Sequence, residues 1–256
     1  MVIPGTLAYW RFDAGGANGT AVTASQPVKD QSGHGNDLTQ LVTAPGSSGN
    51  TLTWSSDHHP DQPGHGSLYF GGGQNPLHGA WLETAAQAPL NKETFASGYT
   101  IEAFVKIPAS WNSTDNSWMA VLSRWGESGQ AGKTGGDQKE PIATFSFSND
   151  REPQWNVYPL NANAPTTNWG QGLPEGTWWH LAVVNDGKHT VMYVEGCPTV
   201  DNPSLITSTG ITQLALPWAL GGYEYGGAGT QVFHGYVGDV RVVNRPLPVG
   251  QFMIAK

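Results

Sequence analysis

The residues with the most to say about chemistry are aromatic. The 256-residue chain carries eleven tryptophans and eight tyrosines. Several tryptophans fall in turns or at strand ends: Trp111, Trp118, Trp125, Trp155, Trp169 and Trp218. Indole and phenol rings stack on the apolar C–H faces of pyranose sugars, while planar polar groups hydrogen-bond the hydroxyls. Three pairs of nearby residues combine those types: Arg124 with Trp125, Asn156 with Tyr158, and Glu224 with Tyr225. They sit on strands that could neighbour one another, or on the loops between, and together they form the candidate carbohydrate-binding surface. Trp155 and Trp179 are expected in the core instead.

Other reactive types are present without a pattern that uses them. His58, His59 and His65 lie between residues 43 and 66, expected to be a long irregular loop, but their spacing matches no zinc motif and no Cys accompanies them. They read as solvated loop residues. Cys197 is the one cysteine, so it cannot form an internal disulfide, and it reads as a small buried or turn residue. The run Gly71-Gly72-Gly73 is not a phosphate loop, because no helix follows it. No serine sits on a sharp strand-to-helix elbow. Catalysis is therefore not expected.

Composition narrows the partners. A net charge of −8 argues against nucleic acid, whose phosphates need clustered Lys and Arg. No apolar run reaches 18 residues, so no membrane span is expected. Charged residues make up only 12%, and Asn, Thr, Ser, Gly and Trp are abundant, which fits a secreted bacterial domain. No signal peptide is visible, and Met1 to Pro4 reads as a start inside a longer protein.

Strands must hold these side chains. In Glu175 to Gly196 two β-prone runs flank Asn185-Asp186-Gly187-Lys188, a strong hairpin signal because glycine takes positive φ at no steric cost. Period 2 places Trp179, Leu181 and Val183 on one face, and Trp178, His180, Ala182 and Val184 on the other. Both sets are largely apolar, so both faces are expected to be covered. A second hairpin spans Pro141 to Tyr158. There Phe145, Phe147, Trp155 and Val157 share a core face, opposite Thr144, Ser146, Ser148, Gln154, Asn156 and Tyr158. Gly 34 and Pro 18 punctuate about a dozen such runs, with no repeat and no linker. The expectation is all-β: one domain over residues 1–256, built of two packed antiparallel sheets.

Several stretches in order resemble the laminin-G-like, or concanavalin-A-like, jelly roll of bacterial secreted proteins. They are Ala8 to Asp13, Asp30 to Asn36, Tyr99 to Lys106, Trp178 to Val184 with Met192 to Gly196, and Gly235 to Leu247. The resemblance runs from near residue 7 to near residue 252. It implies a structural calcium ion joining the two ends of the chain, with Asp13, Asp30, Asn36 and Asp239 at the matching oxygen-bearing positions. The alternative for Asp30 and Asn36 is that they cap their own turn. Hydrolases on this fold carry Glu-x-Asp-x-x-Glu on one strand, which does not occur here; Glu102 stands alone and reads as paired with a lysine or arginine. The resemblance thus favours a non-catalytic lectin-like module binding a polysaccharide or glycan. Two alternatives stay open: a structural or adhesion domain packing on an adjacent catalytic domain, and a glycoside hydrolase or polysaccharide lyase with a site of another pattern.

Overall fold

Short alternating runs separated by glycine-rich turns become strands wherever one face can be buried. The computed structural model describes residues 1–13, 15–47, 52–158, 160, 166–199 and 211–254. Its strands begin with β1 (Thr6–Trp10), β2 (Leu38–Thr43), β3 (Leu52–Ser55) and β4 (Ser67–Gly71). The short β5 (Gly73–Gln74) and β6 (Leu77–His78) precede β7 (Ala80–Thr84) and β8 (Tyr99–Lys106). Next come β9 (Ala120–Glu127), β10 (Pro141–Phe147), β11 (Pro153–Val157) and β12 (Thr167–Asn168). The hairpin read from the sequence is β13 (Trp178–Asn185) with β14 (Thr190–Val194), and β15 (Cys197–Pro198) edges it. The chain ends in β16 (Trp218–Leu220), β17 (Tyr223–Tyr225), β18 (Ala228–Thr230) and β19 (His234–Val243).

Two antiparallel sheets form the body. The first runs β15-β14-β13-β8-β19-β4-β3, and β1 also pairs with β19. The second runs β12-β11-β10-β9-β16-β7-β2. Ile101, Ala103, Val105, Leu181, Val183, Val240 and Val242 of the first sheet meet Leu122, Phe145, Phe147, Trp155, Val157 and Trp218 of the second in one core. Each such side chain contributes about 1.5–3 kcal/mol when fully buried. The faces assigned to the two hairpins from the sequence are the ones observed.

Two expectations change. Residues 43–66 are not one irregular loop: Leu52 and Trp54 alternate with polar neighbours and make the edge strand β3, paired to β4. The triple glycine is a close-packing device, since a Cβ on Gly72 would stand 2.4 Å from Val232 Cγ1 and 2.6 Å from the Phe233 carbonyl oxygen.

The chain closes on itself where Ala8 pairs with Val242 and Trp10 with Val240. Outside this sheet lies a buried ionic cluster. Glu102 Oε2 accepts from Arg241 Nε at 2.8 Å and from Nη2; Oε1 accepts from the Met253 amide at 2.8 Å and lies 3.0 Å from His180 Nε2. Arg241 also donates to the carbonyls of Met1 and Gln251. Burial by itself would raise the Glu102 carboxyl, but His180, Arg241 and the Met253 amide together hold it below its ordinary value.

A carboxyl lowered in the folded state binds fewer protons than in the unfolded chain. Its contribution is therefore present above the ordinary value of 4.5 and is lost as the pH falls through the folded value. Glu102→Gln is expected to cost about 3–5 kcal/mol at neutral pH by leaving Arg241 buried and unpaired. It should also flatten the acid limb of the stability profile. Denaturant unfolding at neutral pH and below 4.5 measures both effects.

Candidate functional site

The second sheet has its own outer face, and on it Thr144, Ser146, Gln154 and Asn156 form a polar patch, as the alternation of β10 and β11 requires. The β17–β18 hairpin lies over part of this face. Its turn, Gly226-Gly227, has φ of +59° and +78°, backbone that glycine adopts freely. Ser123 Oγ donates to the Gly222 carbonyl at 2.5 Å, and Gly229 sits over the rings of Trp81 and Trp125. Within the hairpin, Tyr223 and Tyr225 share one face while Glu224 takes the other. Beside the hairpin a cleft of about 490 Å³ remains, and Ser146, Gln154, Asn156, Tyr158, Glu140, Tyr223, Gln231, Leu160 and Thr166 line it, with Trp118 and Tyr225.

Trp118 is placed by the turn before it. Asn112 caps the short helical turn Ser113–Asn116, accepting from the Asp115 amide at 2.9 Å. Asn116 donates to the Gly72 carbonyl, and Met119 is wholly buried, so the residues around Trp118 are anchored. Trp118 itself takes φ of +64° and is 45% exposed. A bulky side chain in this left-handed region costs about 1–2 kcal/mol. That strain turns the indole outward, onto the cleft.

Three tyrosines also line the cleft. Tyr225, 41% exposed, donates from its hydroxyl to Asp137 Oδ2 at 2.8 Å. Tyr223 is buried and donates to Glu140 Oε2, and its hydroxyl lies 3.1 Å from that of Tyr158. Burial, with the charge of Glu140, pushes Tyr158 up to about 12. Burial likewise raises Tyr223, reinforced by Tyr158 and Glu140, so both phenols stay protonated. Glu140 is raised by burial first and by the charge of Asp137, against the lowering effect of the Tyr223 hydrogen bond. On the floor, Asn156 Oδ1 is buried without a hydrogen-bond partner.

Of the six carbohydrate-binding candidates, Asn156, Tyr158 and Tyr225 line this cleft. The other three are placed elsewhere. Arg124 points between the sheets, where Nη2 donates to the Asn91 carbonyl at 2.9 Å, Nη1 donates to the Glu93 carbonyl, and the guanidinium lies 5.4 Å from the Trp218 ring. Trp125 packs on Trp81, with ring centroids 5.7 Å apart, and its indole N–H donates to Ser123 Oγ. Glu224 turns away from its tyrosine neighbours and accepts from the Gly126 amide at 2.5 Å, fastening the hairpin to β9. Trp118, Glu140, Tyr223 and Gln154 were not in the candidate set. A tryptophan directly after a capped Asn-Ser-Thr-Asp-Asn turn was the available signal for the first.

The positions matched to calcium are engaged by the chain itself. Asp30 Oδ1 accepts from the amides of Tyr9 and Ser32, and Oδ2 from the Asn36 amide and the Ser32 hydroxyl. Asn36 donates to the Leu7 carbonyl and accepts from the Leu90 amide. Asp13 pairs with Arg11 at the surface. Asp239 accepts from the Tyr9 hydroxyl at 2.5 Å and lies 2.9 Å from His65 Nδ1; burial raises its carboxyl, and Tyr9 and His65 offset part of that. Among the described residues no group of three or more His, Cys, Asp or Glu side chains could hold a metal. Asp30 and Asn36 cap their own loop, which Tyr9 ties to Asp239 of β19, and Asp239 Oδ1 is buried without a hydrogen-bond partner among the described residues.

Two antiparallel sheets closed by the pairing of the chain's first and last strands define a jelly-roll sandwich. The chain belongs to the concanavalin A-like lectin/glucanases superfamily, whose sequence model matches residues 78–251. No curated protein sequence matches it. Among solved structures it is similar to the Trypanosoma rangeli sialidase in complex with sialic acid, at 17% identity and a TM-score of 0.52 over 97% of this chain and 32% of that one. It is similar also to domain 4 of an extracellular GH43 arabinanase from Geobacillus stearothermophilus in complex with arabinotriose, at 13% identity and 0.54, covering 96% and 95%. The binding domain of botulinum neurotoxin serotype D matches at 8% identity and 0.55, covering 96% and 49%. The chain thus spans about a third of the sialidase's length. At such identities the likeness is one of fold.

With Asp30 held by four protein donors, a chelator is expected to leave the thermal midpoint unchanged. A drop of more than about 4 °C, the effect of roughly 1 kcal/mol in a domain this large, would place an ion at the chain closure.

Proposed function

We propose that this domain is a non-catalytic glycan-binding module of a secreted bacterial protein, joined there to a catalytic domain, and that it seats a saccharide between Trp118 and Tyr225. The observation that carries this reading is that two exposed aromatic rings line one cleft with an amide floor. Large exposed aromatics are uncommon on a folded surface, and these two face the same concavity. Sugar rings need such platforms for their C–H faces, and Asn156, Gln154 and Ser146 offer polar groups for their hydroxyls. The arabinanase domain, matched over nearly its whole length, is described in complex with arabinotriose, which supports a saccharide here.

The cleft is poorly equipped for hydrolysis. Glycoside hydrolysis commonly uses two carboxylates flanking one bond, and Glu140 is the one carboxylate among the cleft's described lining residues. Tyr223, beside it, is held protonated by burial, a state suited to donating a hydrogen bond rather than attacking a sugar.

Trp118→Gly tests the reading cleanly, because glycine accepts the positive φ and the fold should be as stable or more so. It and Tyr225→Ala are each expected to weaken retention on the bound polysaccharide about tenfold or more in affinity electrophoresis, a loss of roughly 1.4 kcal/mol. Trp125→Ala should lower the thermal midpoint instead. Unchanged retention in both cleft variants, or no retention of the parent domain on any polysaccharide, would sink the proposal.

A further inference from the structure

The described lining of the cleft holds a carboxylate and no cation. Among the described residues lining it, Glu140 is the charged side chain, and no lysine, arginine or histidine joins it. Asp137 stands at the exposed rim, accepting from the Tyr225 hydroxyl. Lys139 runs along Gly226 of the hairpin turn, and its charge bears on Asp137. What bears on Glu140 is its own burial, the Tyr223 hydroxyl and the negative charge of Asp137, with no cation among them.

The polar floor is also rich in acceptors. Among the described residues no donor satisfies the buried Asn156 Oδ1, and Gln154 directs its N–H toward Glu152 at 3.3 Å. A buried acceptor without a partner calls for a donor. The faces of Trp118 and Tyr225 attract cations as well as C–H groups. An ammonium group meets each of these demands, whereas a carboxylate would face the like charge of Glu140 and Asp137 with no cation in the described lining to offset it.

Resting on the glycan-binding reading above, we infer that the saccharide taken by this cleft carries amino substituents on its rings, and that carboxylated sugars are rejected. The test uses the whole domain and matched oligosaccharides of glucose and galactose backbones, each as the 2-amino, the N-acetyl and the carboxylated form. Calorimetry at low salt is expected to show the amino form binding about tenfold tighter than the N-acetyl form, with the gap closing as salt rises. The carboxylated form should not bind. Glu140→Gln should narrow the amino-to-N-acetyl ratio, and Asp137→Asn, at the exposed rim, should narrow it less. Equal affinity for amino and N-acetyl forms, or binding of the carboxylated form, overturns the inference and leaves a glycan-binding module. Binding of no form in any series overturns that reading and the inference with it.

Discussion

Two sheets packed face to face leave two outer faces, and the shape of this molecule follows from how each is handled. An outer face cannot stay both apolar and bare, nor can its polar groups be covered without partners. The first sheet is covered over its centre. The loop after Ser55 and the C-terminal segment lie on it, and burying Glu102 there requires Arg241, His180 and the Met253 amide to converge on one carboxylate. The second sheet is closed only in part. The hairpin Tyr223–Thr230 lies over the Trp81 and Trp125 rings, and the polar strip it leaves beside β10 and β11 is the cleft. The cleft is thus the residue of an incomplete burial.

Much of the architecture was legible in the chain because it rests on period 2. The faces of the two main hairpins follow from alternation, as does the pairing of the lone Glu102 with an arginine across the sheet. The site was harder for the same reason. Neighbours in a strand point to opposite faces, so Arg124 with Trp125, and Glu224 with Tyr225, could not share one surface. Asn156 and Tyr158, two apart, do meet. A fully buried arginine on an inner face also runs against the usual preference of that side chain, and carbonyls at Asn91 and Glu93 that no local pattern announces are what make it tolerable. Trp118 reads only as one of several tryptophans in turns or at strand ends, and what singles it out, a positive φ two residues before the strand that begins at Ala120, is written in no local pattern.

The family accounts for the scaffold and not for the cleft. Superfamily members share the sandwich, and the sialidase, arabinanase and neurotoxin structures match it at identities too low for side chains to be carried across. What is particular to this chain is the strained Trp118, the pair of tyrosines and the half-buried carboxylate of Glu140 beside them. Those features sit on a turn, a hairpin and a strand edge, the parts of a sandwich that change while its core holds.

The pairing of β1 with β19 fixes more than the seam of the sheet. Met1 and Met253 both contact the Arg241–Glu102 cluster, so head and tail emerge together on the back of the first sheet. The sugar-sized hollow opens on the front of the second. The two described ends of the chain thus share one pole of the sandwich, and the cleft faces away from it.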